Sequence, residues 1–339
     1  MDDAVAVFLF VGVVAYCLLG GADFGAGFWD LIAGGADRGR APRAFIDNSL
    51  APVWEANHTW LIYCLVMLWS GFPSAFAAIT TTLYIPLALA ALGIVLRGAG
   101  FAFRKASIRT PEQRVYGAAF ALSSLLAPYC FGSIAGAIAS GRVPTGGSGD
   151  ALTSWLSPSG ALGGVLAVLV CAYLAAVYLA VSAHRGGDQH LSRYFRDRAL
   201  AAGAVTGTVS AGGIFVLRAD APRLYDNLSH RALPLAVLAA AGGLLGLFLL
   251  RAEKLTGLRE IAAAAVTLVV VGWGVSQYPY LLGTHLSLAA AAAPDATLRV
   301  LVVVACVAVA LILPSLALLF RLAGRGTIGT DHAPPPSPP

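Results

Sequence analysis

AVAVFLFVGVVAYCLLGGADFGAGFWD, residues Ala4 to Asp30, decides the class of fold. No charge interrupts it from Ala4 to Ala22. At 1.5 Å of rise per residue, a helix of about 20 such residues crosses the roughly 30 Å hydrocarbon core of a bilayer. The apolar residues run continuously instead of alternating, so the stretch reads as a helix and not as a barrel strand. Eight similar runs follow, near 56–71, 75–98, 115–139, 160–183, 199–217, 232–250, 260–281 and 298–320. The composition agrees, at 58% hydrophobic and 12% charged over 339 residues, where soluble domains carry about 25% charge. Too little polar surface remains to cover a water-facing sphere, which excludes a soluble enzyme, a disordered chain and a nucleic-acid reader. The expectation is an all-α integral membrane protein of about nine transmembrane helices.

The distribution of cations orients those spans. Of 22 Lys and Arg residues, 17 follow spans one, three, five, seven and nine, and the alternate segments hold only Arg142, Arg218, Arg223, Arg231 and Arg299. This places the N-terminus outside and the C-terminus in the cytoplasm. The segments between spans are too short for a separate soluble domain. A membrane domain over 1–324 and a disordered proline-rich tail over 325–339 are expected. No basic n-region or cleavage site precedes span one, so it reads as retained. Cys17, Cys64, Cys130, Cys171 and Cys306 fall in or beside spans without CxxC spacing, as small packing residues do.

A charge near the bilayer centre costs at least about 2.5–3.5 kcal/mol on insertion scales, so the polar residues inside spans need a reason. Asp23 lies two-thirds of the way through span one, among Gly20, Gly21, Gly25 and Gly27. Gly21 and Gly25 form a GxxxG step that lets another helix approach closely. Asp30, seven residues on, falls about 20° away on the same face. A line of carboxylates descending to the cytoplasm is one reading. The other is an N–H or Arg partner that fixes Asp23 in helix packing, with Asp30 at the interface. In the second stretch, Asn48-Ser-Leu-Ala-Pro-Val-Trp-Glu-Ala-Asn-His-Thr-Trp-Leu61, Glu55, His58 and Thr59 share one helical face. Pro52 suits the first turn of a helix. An acid beside an imidazole on the cytoplasmic side can take protons from water and pass them inward. The plainer alternative is an interfacial helix start, with Trp54 and Trp60 as headgroup anchors. Arg97 closes span three, where snorkelling to the headgroups is the favoured role and pairing with an intramembrane acid the other. Tyr278-Pro279 ends span eight, in a belt position or against a partner.

Haem ligation from within the chain finds little support. His58 alone among six histidines lies in or near a span, and Met67, nine residues away, falls on the opposite face. No pair offers axial ligation from two facing helices, and no metal cluster is spaced for binding.

These stretches together resemble subunit II of the cytochrome bd-type terminal quinol oxidases (cytochrome d ubiquinol oxidase subunit II). Gly20–Gly27 is similar to that family's D-G-F-D-x-G-x-G, and Asn48–Leu61 to its N-S-x-x-P-x-W-D-x-N-x-x-W-L, with Pro52, Trp54, Asn57 and Trp60 in place. Leu96–Arg104 resembles F-R-x-x-x-F-x-[FY]-R through Arg97 and Arg104, and Tyr278-Pro279 resembles a late F-P. The order is kept along the whole chain. The leading acid of the first motif is Gly20 here, the Asp of the second is Glu55, and His58 and Ala56 replace commoner residues, so the proton route departs from the family's in detail.

The resemblance implies two helical bundles plus a peripheral helix in a bacterial or archaeal cell membrane. It also implies a heterodimer with a larger subunit I that carries three haems, b-type with d-type left open, and the quinol site. This chain would bind no cofactor or metal directly. Small accessory subunits, lipid and quinone are further implied partners, and nucleic acid is not. Glu55 corresponds to the family's proton-path acid and Asp23 to its intramembrane acid, structural or quinone-related. Competing readings are a stand-alone proton-coupled transporter, marked by broken helices about a midplane site, and a purely structural assembly subunit.

Overall fold

The computed structural model describes residues 1–35, 37–106 and 110–324, with the side chains at 50–56, 101–102, 104–106, 110–115, 313, 316 and 319–324 outside that description. The expected tail over 325–339 therefore lies outside the described residues. The chain forms α1 (Asp2–Leu31), α2 (Arg40–Gly71), α3 (Pro73–Thr82), α4 (Tyr84–Ala106), α5 (Thr110–Ala139), α6 (Pro158–Arg185), α7 (Gln189–Asp220), α8 (Pro222–His230), α9 (Leu233–Arg251) and α10 (Leu258–Gln277). A short antiparallel hairpin, β1 (Tyr280–Leu282) with β2 (Leu286–Ser287), then leads to α11 (Leu288–Ala291) and α12 (Asp295–Gly324). The all-α membrane architecture is the one expected. Among the described residues, seven helices are long and apolar enough to cross a membrane, or eight if one bent pair counts as a span.

Two expected span boundaries need correction. The run 75–98 is not one helix. Phe72 leaves the helical region (φ −136°, ψ 63°) ahead of Pro73, and α3 departs from α2 at 116°. Proline lacks an amide hydrogen and disfavours helical backbone in the residue before it, so α2 stops there. Within the run 75–98 the helix breaks at Leu83 (φ −109°, ψ 30°), between α3 and α4, and an apolar count misses that break because the residues on both sides are apolar. The second span begins earlier than expected, since α2 starts at Arg40 and Pro52 falls inside the helix instead of at its first turn. Residues 40–55 are too polar to register as a span. They are held instead by buried Ile46 and by Phe45, whose ring lies 6.0 Å from that of Phe195 on α7.

The break recurs at Ala221 (φ −137°, ψ 59°) ahead of Pro222, between α7 and α8. The order long helix, proline-started short helix, then two long helices thus occurs twice, in α2–α5 and in α7–α10. Both breaks fall at or beyond the ends of the expected spans, not at their middle.

Polar contacts tie the ends of the bundle. Asp220 accepts from Arg142 at 2.6 and 2.9 Å and from the Ser159 amide at 3.0 Å. Arg223 donates to the Gly283 carbonyl, and Arg231 to that of Tyr278 at 3.1 Å. At the other end Arg43 faces Asp30 at 3.5 Å, and Arg196 pairs with Asp197 and Glu253. Each of these contacts joins segments that the count of cations assigns to one membrane face.

Helix α6 forms the centre of the larger core. Its residues Ala172–Val177 are buried beneath Ala26 and Trp29 of α1, Phe195 and Ala199 of α7, and Ala262 and Val266 of α10. The Trp29 indole donates to the Ala172 carbonyl at 2.8 Å. Small residues permit this approach, because a Cβ on Gly25 would overlap the Cys171 carbonyl. The GxxxG step of α1 therefore faces α6. A second core gathers at the opposite end around Phe72, Leu83, Trp155, Leu282 and Leu298.

Candidate functional site

Asp23 and Arg97 meet where α1, α2, α4 and α5 converge. Asp23 is 1% exposed and Arg97 2%. Arg97 Nη2 donates to Asp23 Oδ1 at 2.6 Å and to its carbonyl oxygen at 2.7 Å, while Nε donates to Oδ2 at 3.2 Å. Nη1 donates to Ser124 Oγ on α5, and that hydroxyl donates to the Phe120 carbonyl at 2.6 Å. The guanidinium carbon lies 4.3 Å from the Phe120 ring centroid and 5.2 Å from that of Phe24, so aromatic faces cover the cation. From α2, Asn57 Nδ2 reaches Asp23 Oδ2 at 3.4 Å. Gly27 makes the room, since a Cβ there would overlap Ser124 Oγ and come within 2.8 Å of Arg97 Nη1.

The two-point Arg–carboxylate geometry fixes orientation as well as distance. Both Asp23 oxygens are engaged, and the group joins four helices, so the arrangement acts as a clamp. Arg97 does not snorkel. Because α3 takes up the first part of the apolar run, α4 extends to Ala106 and Arg97 is its 14th residue of 23, well inside the helix instead of at its end.

The other sequence candidates divide. Asn57 joins the clamp, 1% exposed. Trp60 is buried at 3%, packed edge-to-face on Tyr63 at 5.8 Å, and is not a headgroup anchor. His58 is half-buried and Thr59 exposed on α2. Glu55, Pro52 and Trp54 lie on the backbone of α2 and Arg104 on that of α4, with side chains outside the described residues. Asp30 is buried at the end of α1, 3.5 Å from Arg43. Tyr278 stacks under Arg231 at 5.0 Å, and its bond to Pro279 is cis. Asn57 Oδ1 and Trp60 Nε1, both buried, have no hydrogen-bond partner among the described residues. Sequence reasoning missed Ser124 and Phe120. A serine and a phenylalanine are ordinary in such spans, and only their position against Arg97 gives them a role.

Among the described residues no three of His, Cys, Asp and Glu gather as a metal site. His184, His190, His230 and His285 are exposed at helix ends and turns, and Met67 is buried in the core opposite the clamp.

The sequence profile of the family described as cytochrome bd terminal oxidase subunit II matches residues 1–323. The chain belongs to this family. As a member it is a subunit of an oxygen-reducing respiratory oxidase and a multi-pass bacterial membrane protein. It is 24% identical over 306 residues to cytochrome bd ubiquinol oxidase subunit 2 of Bacillus subtilis (strain 168), covering 88% of this chain and 87% of that one. To cytochrome bd-I ubiquinol oxidase subunit 2 of Escherichia coli (strain K12) it is 27% identical over 223 residues, 62% of this chain and 56% of that relative. The solved bd oxidase from Geobacillus thermodenitrificans contains a chain of similar fold, with a TM-score of 0.75 at 24% identity over 94% of this chain and 98% of that one.

Proposed function

We propose that this chain is the haem-free subunit of a quinol:oxygen oxidoreductase, that it stabilises a haem-bearing subunit I, and that its helix α2 helps deliver cytoplasmic protons to the oxygen-reduction site. The observation that carries the reading is the composition and seating of α2. Glu55 and His58 flank Asn57, which docks α2 on the clamp, and Asn57 and Trp60 each present a buried polar atom with no hydrogen-bond partner among the described residues. Buried polar atoms of that kind are where ordered water sits. The b-type haems, with any d-type haem, and the quinol site belong to the partner. Reducing O₂ to two waters consumes four protons and four electrons, so a buried reduction site needs a path from water.

Glu55→Gln in the purified two-subunit complex tests the proton role. The expected outcome is a slower oxygen-consumption rate with an altered pH profile and unchanged haem content. An unchanged rate and pH profile would sink the proton role and leave the family assignment intact. A second reading, assembly without proton transfer, draws on the full engagement of Asp23 by Arg97. It predicts normal turnover in Glu55→Gln and loss of assembled complex in Arg97→Leu.

A further inference from the structure

Arg259 opens α10 and Arg185 closes α6, on the face that the cations mark as cytoplasmic. The apolar runs ending near 183 and beginning near 260 put both at the level of the lipid headgroups. Arg259 is half-buried. Its Nη2 donates to the Tyr178 carbonyl at 2.9 Å and to Ser182 Oγ at 2.5 Å, and its guanidinium carbon lies 4.1 Å from the Tyr178 ring centroid. Its Nε is buried without a hydrogen-bond partner. Ser182 and Arg185 are three residues apart and share a face of α6, which brings the second guanidinium close enough to repel the first. Arg43, Arg97, Arg142 and Arg196 each face a carboxylate, whereas neither Arg259 nor Arg185 has an ion pair among the described residues. Glu260, exposed on the next position, attracts Arg259 without pairing with it. Helix α10 also starts at Gly257 (φ 74°) with no side chain capping its first turn, so the positive end of its dipole adds to the same spot.

Two neighbouring cations on this face, one of them half-buried, make no ion pair among the described residues, although Glu260 stands one position on. The chemistry that satisfies them is a phosphate, and its place at the membrane edge selects a lipid as the source. We propose that Arg259 and Arg185 bind the headgroup phosphate of an anionic phospholipid. The Tyr178 ring and the Ser182 hydroxyl hold the Arg259 guanidinium in place at the headgroup level.

The test uses the purified, lipid-depleted oxidase complex, with binding read by native mass spectrometry. The probes are dioleoylphosphatidylglycerol, dioleoylphosphatidylcholine and inorganic phosphate. Phosphatidylglycerol is expected to bind the unaltered complex several-fold more tightly than phosphatidylcholine. Arg259→Gln and Arg185→Gln should each weaken it, roughly fivefold to tenfold. Arg185 is exposed and has no hydrogen bond or ion pair among the described residues, so that variant keeps the test meaningful if Arg259→Gln fails to assemble. Arg299→Gln, an exposed cation on the other face, should bind as the unaltered complex does. Equal phosphatidylglycerol binding in both variants, equal binding of phosphatidylcholine, or inorganic phosphate displacing the lipid at matched concentration would overturn the proposal.

Discussion

Asp23→Asn leaves the Arg97 guanidinium buried opposite a neutral amide, and at the scale of single residues this is the most consequential change in the molecule. Removing one partner of a buried ion pair costs about 3–5 kcal/mol, because the remaining charge is uncompensated. The expected outcome is a lower melting temperature and a lower yield of assembled complex. The double change Asp23→Leu with Arg97→Met removes both charges and should recover most of that loss. A double variant as unstable as the single one would show that the pair is not what holds the helices. The acid was legible in the sequence, since a carboxylate among glycines inside a span demands a partner. Its partner was not, because apolar counting placed Arg97 at a span end, where a cation needs no acid. Ser124 carried no signal at all.

At the scale of elements, helix packing depends on which small residues face a neighbour's backbone. Gly25→Ala would drive a Cβ into the Cys171 carbonyl of α6. Backbone cannot rotate away as a side chain can, so the cost is expected at the upper end of the about 1–3 kcal/mol typical of overpacking. Gly207→Ala on α7 meets open space and should shift stability by no more than about 0.5 kcal/mol. Melting curves of the two variants side by side check this, and equal destabilisation would contradict the α1–α6 contact. The GxxxG step of α1 was visible in the sequence without the helix it serves. The breaks at Phe72 and Ala221 were marked by Pro73 and Pro222 and fall between the expected runs, but a count of apolar residues runs straight through the break at Leu83. Both Glu55 and Asn57 were singled out by their motif; Asn57 acquires a partner on α1, and the Glu55 side chain lies outside the described residues.

At the scale of the whole molecule, the segregation of cations sets a testable topology. Ser148→Cys, in the exposed segment between α5 and α6, should react with a membrane-impermeant thiol reagent on intact cells. Lys254→Cys, between α9 and α10, should react only after permeabilisation. The reverse pattern would invert the orientation and move Glu55 and His58 to the outer side, removing their access to cytoplasmic protons. By itself the sequence determined the solvent of this protein, the number and order of its apolar runs, the face its cations mark and the few polar residues that must have a purpose. These follow from transfer energies and residue spacing, which are local and additive along the chain. The tertiary structure alone decided that Arg97 answers Asp23, that Ser124 and Asn57 complete the joint, that Gly25 faces Cys171, and that Arg259 of α10 packs on Tyr178 and Ser182 of α6. Pairing across helices depends on where each helix bends and how closely two backbones approach, and neither is written in the residues of one helix alone.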